Sequence, residues 1–119
     1  MKVLILDDDA DLAASLADAL RFENHDVVLA TTLGEARAAI EGMTDLDVAV
    51  LDVNIEAENS ISLVRDLKQT MPSLRVVSMT GGGRVRADLG MPLATAHGAD
   101  AALLKPFTID EFLNAVTAS

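Results

Sequence analysis

Cysteine, tryptophan and tyrosine are absent from this chain, and its only aromatic residues are three phenylalanines. Without cysteine, neither a disulfide framework nor a thiolate metal site is possible. With so few rings, a core has to be built from Val, Leu, Ile, Ala and Met. No stretch approaches the roughly 18 apolar residues of a membrane span. The first apolar run, Val3-Leu4-Ile5-Leu6, is far too short for a secretory signal. A soluble, cytoplasmic protein is therefore expected, with no membrane partner. Positive charge is also scarce: 9 Lys and Arg face 19 Asp and Glu, a net charge of -10. With no basic tract to neutralise phosphates, direct binding to nucleic acid is not expected. The 119 residues suffice for one core, so residues 1–119 are expected to form a single domain.

What is present is an alternation. Apolar runs and helical patterns follow one another about every 20 to 25 residues, the signature of βα units around a parallel sheet. The spacing predicts strands over 2–7, 26–30, 47–52, 74–79 and 100–104. Leu12, Leu16, Ala19 and Leu20 recur at helical spacing, which makes the first helix amphipathic. Thr32 with Glu35, and Thr108 with Glu111, have the spacing of capping boxes, and Gly42 is placed to end the second helix. A third helix covers Ile61 to Lys68 and stops before Pro72, and the last carries Phe112, Leu113 and Val116 toward the core. Residues 81–91 hold too much glycine for a good helix and predict a mobile loop. Pro92 and Gly98 then bracket a short fourth helix. The fold class is α/β, a doubly wound five-stranded parallel sheet.

The chemistry collects at strand ends. Asp7, Asp8 and Asp9 follow the first apolar run and Asp52 ends the third. Thr80 ends Val76-Val77-Ser78-Met79, and Lys105 follows Leu103-Leu104. In open α/β sheets ligands bind in the crevice outside the carboxyl ends of the strands. Carboxylates gathered there repel by roughly 4 kcal/mol per pair at about 4 Å and an effective dielectric near 20. A cation must share the site. Mg²⁺ suits it, because it takes hard oxygen ligands and is commonly held by one or two carboxylates and a phosphate. Lys105 supplies a second positive charge. Each feature alone has a plainer reading: an Asp run before a helix caps it, and Thr before Gly makes a turn. His25 and His97 read as helix-end or surface residues. The conjunction at four strand ends favours one metal-assisted phosphoryl site.

With these residues in place, the whole chain resembles the receiver domain of two-component response regulators, a flavodoxin-like fold whose members include the chemotaxis protein CheY. The resemblance implies that Asp7 and Asp8 are the acidic pair, with Asp8 a direct Mg²⁺ ligand, and that Asp52 accepts the phosphoryl group. Asn54 would offer its backbone carbonyl to the metal. Thr80 would hydrogen-bond the phosphoryl group and Lys105 would pair with it. The donor would be a histidine of a sensor kinase or of a histidine phosphotransfer protein. A downstream protein, which the sequence does not identify, would read the result, and the chain would act as a switch rather than a turnover enzyme.

Two departures bear on mechanism. The segment Val53-Asn54-Ile55-Glu56-Ala57-Glu58-Asn59-Ser60 lacks the Met-Pro and Asp-Gly that commonly follow the phosphoacceptor. Ala102 stands where an aromatic residue commonly precedes the lysine by three, so the usual aromatic relay cannot operate. The glycine loop with Arg84 and Arg86 is the expected moving part in its place. Gly81 and Gly82 beside Thr80 leave room for water, which predicts a short-lived phosphorylated state. Two alternatives carry different functions. An unphosphorylated pseudo-receiver would act by protein interaction alone, and intact Asp8, Asp52, Thr80 and Lys105 speak against it. An aspartyl phosphohydrolase would want a second carboxylate two residues after the nucleophile, where this chain has Asn54.

Overall fold

A computed structural model describes residues 1–52, 57–80 and 99–118. Five strands form one parallel sheet, β1 (Lys2–Leu6), β2 (Asp26–Ala30), β3 (Val48–Asp52), β4 (Arg75–Thr80) and β5 (Ala101–Leu104), in the order β2-β1-β3-β4-β5. The described helices are α1 (Ala10–Phe22), α2 (Leu33–Ile40), α3 (Ala57–Thr70) and α4 (Ile109–Thr117). The strands fall within a residue of their expected positions. The third helix is longer than its apolar pattern, beginning at Ala57 rather than Ile61. The expected glycine loop, the short helix between Pro92 and Gly98, and His97 lie outside the described residues.

Strand residues alternate between two helical layers, as a period of two requires. Leu4, Leu6, Ala49, Leu51 and Val76 pack with Leu33, Ala36, Leu63, Leu67 and Met71 of the α2/α3 layer. Val3, Ile5, Val48, Val50, Val77, Met79 and Leu103 pack on the other side with Leu16, Leu20, Phe112 and Val116 of α1 and α4. Because the central strands are covered on both faces, they read as continuous apolar runs, and every residue of β3 is buried. Phe112 is fully buried and stacks on Phe107 at 6.1 Å between centroids. Replacing it by alanine is expected to cost about 3–5 kcal/mol, the usual effect of truncating a core ring. In a chain without Trp or Tyr, loss of far-ultraviolet circular dichroism in urea is the suitable readout. A loss of stability under about 1 kcal/mol would show that the site is not packed as described.

The helix ends follow the sequence with one correction. Thr108 and Glu111 make the complete reciprocal box at the start of α4. At α2, Thr32 accepts from the Glu35 N–H, but Glu35 Oε1 reaches one residue further back, to Thr31 N at 2.7 Å and Thr31 Oγ1 at 2.9 Å. Two threonines in succession give the carboxylate a choice, and it takes the pair of donors on Thr31. Gly42 lies just beyond α2 with φ 76°, a left-handed conformation that suits glycine.

At the sheet end remote from Asp52, Asp100 joins α3 to the sheet. Its carboxylate accepts from Lys68 Nζ at 2.6 Å and from Val76 N at 2.7 Å. Burial favours the neutral acid, but the Lys68 hydrogen bond, the Val76 amide and the charges of Lys68 and Arg75 outweigh it and hold the carboxyl below its ordinary value. A depressed carboxylate contributes stability above the unfolded value near 3.8 and loses it as pH falls through the folded one. Asp100→Asn is therefore expected to flatten the acid limb of the stability curve. The effect should fall in the range of about 0.2–1 kcal/mol, since the side chain is 37% exposed and screened. Urea midpoints measured from pH 2 to pH 7 check it, and an unchanged acid limb would contradict the assignment.

Candidate functional site

Parallel strands all deliver their carboxyl ends to one edge of the sheet, and the order β1-β3-β4 makes the first and third neighbours. Asp7 follows β1, and Asp52 closes β3 on the adjoining strand. Asp7, Asp8 and Asp52 each place a carboxylate oxygen within 4.8 Å of the others. Asp7 and Asp52 are buried and Asp8 is exposed, so the cluster opens to solvent on the Asp8 side. The third member of the aspartate run has a different task. Asp9 is the N-cap of α1 and accepts from Leu12 N at 3.1 Å. The run thus divides, with Asp9 capping α1 while Asp7 and Asp8 lie in the carboxylate cluster.

Lys105 reaches the cluster from the end of β5. Its ammonium donates to Asp7 Oδ2 at 2.7 Å and to Asp52 Oδ2 at 3.3 Å. Asp9 N donates to the other Asp7 oxygen at 2.9 Å. Burial works against the Lys105 charge, but the Asp7 hydrogen bond and the charges of Asp52 and Asp7 outweigh it and raise its pKa above the ordinary 10.5. The lysine therefore stays charged at neutral pH. The stability it contributes is complete below the ordinary value and is lost only as pH rises through the higher folded value. Thr80 ends β4, and its carbonyl accepts from Lys105 N at 2.8 Å, which ties the two strand ends together. The Thr80 hydroxyl is buried and has no hydrogen-bond partner among the described residues. Asn54 lies outside the described residues.

The site's composition suits a divalent cation. Three carboxylates against one described ammonium leave excess negative charge, and the donors are all hard oxygens. Mg²⁺ prefers such donors and retains waters that an exposed ligand such as Asp8 can admit. Asp7, Asp8, Asp52, Thr80 and Lys105, singled out from sequence, thus gather at one edge of the sheet. Sequence reasoning missed that Lys105 lies closer to Asp7 than to Asp52. It also passed over Ser78, a buried hydroxyl whose signal was a polar residue inside an apolar run. His25 precedes β2 and its Nδ1 lies 3.1 Å from the Met1 amine, away from the site. Among the described residues no helix is long and apolar enough to cross a membrane.

Comparison with known proteins agrees with this geometry. Residues 3–117 match the response regulator receiver domain family. The transcriptional regulatory protein CpxR of Klebsiella pneumoniae subsp. pneumoniae is 31% identical over 117 residues, covering 98% of this chain and 48% of CpxR. PrrA of Mycobacterium tuberculosis is 32% identical over 118 residues, with 98% and 48% coverage. The chain thus spans about half the length of these relatives. Among solved structures, a receiver domain from Clostridium thermocellum shares the fold with a TM-score of 0.83 at 24% identity, covering 96% of this chain and 89% of that one. A response regulator from Burkholderia pseudomallei, solved with a phosphorylated aspartic acid, calcium ion and citrate, has a TM-score of 0.83 at 25% identity, with 98% and 66% coverage. The sheet order, the acidic cluster at its carboxyl edge and the match over nearly the whole length lead to one conclusion: this chain belongs to the family of response regulator receiver domains.

Proposed function

We propose that residues 1–119 act as one phosphorylatable receiver, in which Asp52 accepts a phosphoryl group from a histidine of a sensor kinase or a histidine phosphotransfer protein. The observation that carries the reading is the convergence of Asp7, Asp8, Asp52 and Lys105 at one sheet edge. A carboxylate oxygen of Asp52 forms the new P–O bond as the P–N bond to the donor imidazole breaks, and the electron pair of that bond leaves with the ring nitrogen. The product is an acyl phosphate. Lys105 offsets charge on the phosphoryl oxygens, and Thr80, whose hydroxyl makes no hydrogen bond to another described residue, turns to donate to one of them. Asp7, Asp8, Asp52 and the backbone carbonyl of Asn54 would hold Mg²⁺. When bound, the ion would neutralise charge shared by the carboxylates and the phosphoryl group.

Phosphorylation adds about -1.5 to -2 charge at this edge. Lys105 then exchanges Asp7 for a stronger partner. The signal passes to a downstream protein by a change of surface, with neither nucleic acid nor membrane bound directly, and the setting is cytoplasmic. Self-dephosphorylation by water resets the switch, so the chain acts as a self-resetting switch rather than a turnover enzyme. The test is intact mass after incubation with Mg²⁺ and a small acyl-phosphate or phosphoramidate donor. Gain of one phosphoryl group that requires the metal supports the reading. No gain under any condition, together with no Mg²⁺ binding, replaces it with an interaction module that is never phosphorylated.

A further inference from the structure

Two hydroxyls are buried on β4. Ser78 and Thr80 are 0% and 1% exposed, and neither oxygen has a hydrogen-bond partner among the described residues. Residues two apart on a strand share a face, so the two hydroxyls stand in one column, Thr80 at the crevice and Ser78 one pleat deeper. Val77 and Met79 point the other way, into the layer of α1 and α4. The register sets Leu51 and Ala102 beside Ser78. Within the sheet, the neighbours of Ser78 on this face are therefore Leu51, Ala102, Val76 and Thr80, and Thr80 alone is polar.

An alanine at this position would avoid the hydrogen bonds that a buried serine forfeits. Two residues of strand separate Cα atoms by about 6.6 Å, and one water with two O–H···O bonds of about 2.8 Å spans roughly 4.5–5.5 Å, a gap that side chains leaning along the strand can close. Internal waters occupy such polar positions, whereas wholly apolar ones stay dry. The Ala102 methyl, beside Ser78, takes little of the room.

We propose that Ser78 is a positioning residue of the switch: its hydroxyl holds an internal water shared with Thr80, and this water fills the space behind Thr80 when that hydroxyl turns toward a phosphoryl oxygen on Asp52. The inference rests on Asp52 being the phosphoacceptor. With Ser78 in place the vacated space is polar and wet. With alanine there, the Thr80 rotation leaves a dry void and the phosphorylated state is disfavoured.

The whole chain as wild type, Ser78→Ala and Ser78→Thr tests this by three readouts. Without phosphoryl donor, magnetisation transfer from a long-lived water to the amides of β4 is expected in wild type and Ser78→Thr and lost in Ser78→Ala. The thermal midpoint of Ser78→Ala is expected to fall, because a satisfied group is removed. Acyl-phosphate lifetime, followed by intact mass after donor removal, is expected to shorten roughly five-fold in Ser78→Ala, the scale of one hydrogen bond, and to recover in Ser78→Thr. Absence of the water signal in wild type, a raised midpoint in Ser78→Ala, or an unchanged lifetime would each overturn the proposal. A wild-type chain that takes no phosphoryl group counts against the Asp52 reading instead. The water signal and the sign of the midpoint shift still decide whether Ser78 holds the water.

Discussion

Asp52→Asn is expected to lower phosphoryl uptake by several orders of magnitude while leaving the fold intact or more stable. The amide oxygen of asparagine is a poor nucleophile, and loss of a nucleophile in other covalent mechanisms has effects of that size. Neither neighbouring carboxylate is an equivalent substitute. Asp7 is fully buried with both oxygens engaged, one by Asp9 N and one by Lys105, and Asp8 is exposed at the mouth of the cluster. The stability side of the prediction follows from the same charges. Removing the Asp52 charge relieves its repulsion with Asp7 and Asp8, and among the described residues it gives up the longer of two ion pairs to Lys105. Intact mass with donor and Mg²⁺, beside thermal unfolding by circular dichroism, reads both halves. A phosphoryl gain that persists in Asp52→Asn would assign the chemistry to another residue. A variant that fails to fold would show instead that the Lys105–Asp52 pair outweighs the repulsion.

The strand pattern made most of this legible, for reasons visible residue by residue. Leu4, Val50 and Val77 lie in strands buried on both faces, and that burial leaves long apolar runs in the sequence. The polar residue that ends each run then belongs to the carboxyl edge, because parallel strands all point the same way. The family resemblance added the roles of Asp52 and Lys105, and the placement of their side chains at one edge agrees with it. Partner choice among charges was hidden. Lys105 and Asp7 are 98 positions apart, and which carboxylate the ammonium prefers depends on how the end of β5 approaches β1 across β3 and β4. The same limit applies at α2, where Glu35 has two threonines within reach and local spacing does not choose between them. Ser78 was hidden for another reason, since a single hydroxyl in a run of Val and Met reads as an ordinary strand residue until its burial and its lack of a partner among the described residues are seen together.

Lys105→Met should destabilise the metal-free protein by about 3–5 kcal/mol, near the lower figure because the lysine side chain is still 21% exposed. Methionine keeps most of the length and apolar stem, so the change isolates the charge. What remains is Asp7, with 0% exposure, facing Asp52 and Asp8 without the ammonium that lies 2.7 Å away in the wild type. The cost is therefore that of leaving buried like charges uncompensated. A cation would offset part of it. An ion that binds the folded but not the unfolded chain adds about 2.7 kcal/mol at a hundredfold excess over its dissociation constant. With one positive charge removed from the site, Mg²⁺ should bind Lys105→Met more tightly than wild type and shift its unfolding midpoint further. Titration calorimetry and thermal unfolding with and without Mg²⁺ measure both. The lysine and the metal would then be alternative counter-ions of one acidic cluster, and the Lys105–Asp7 pair a resting arrangement that metal entry loosens. Equal metal affinity in the two proteins, with a stability loss that Mg²⁺ does not reduce, would show that the carboxylates and Lys105 do not share one charge balance.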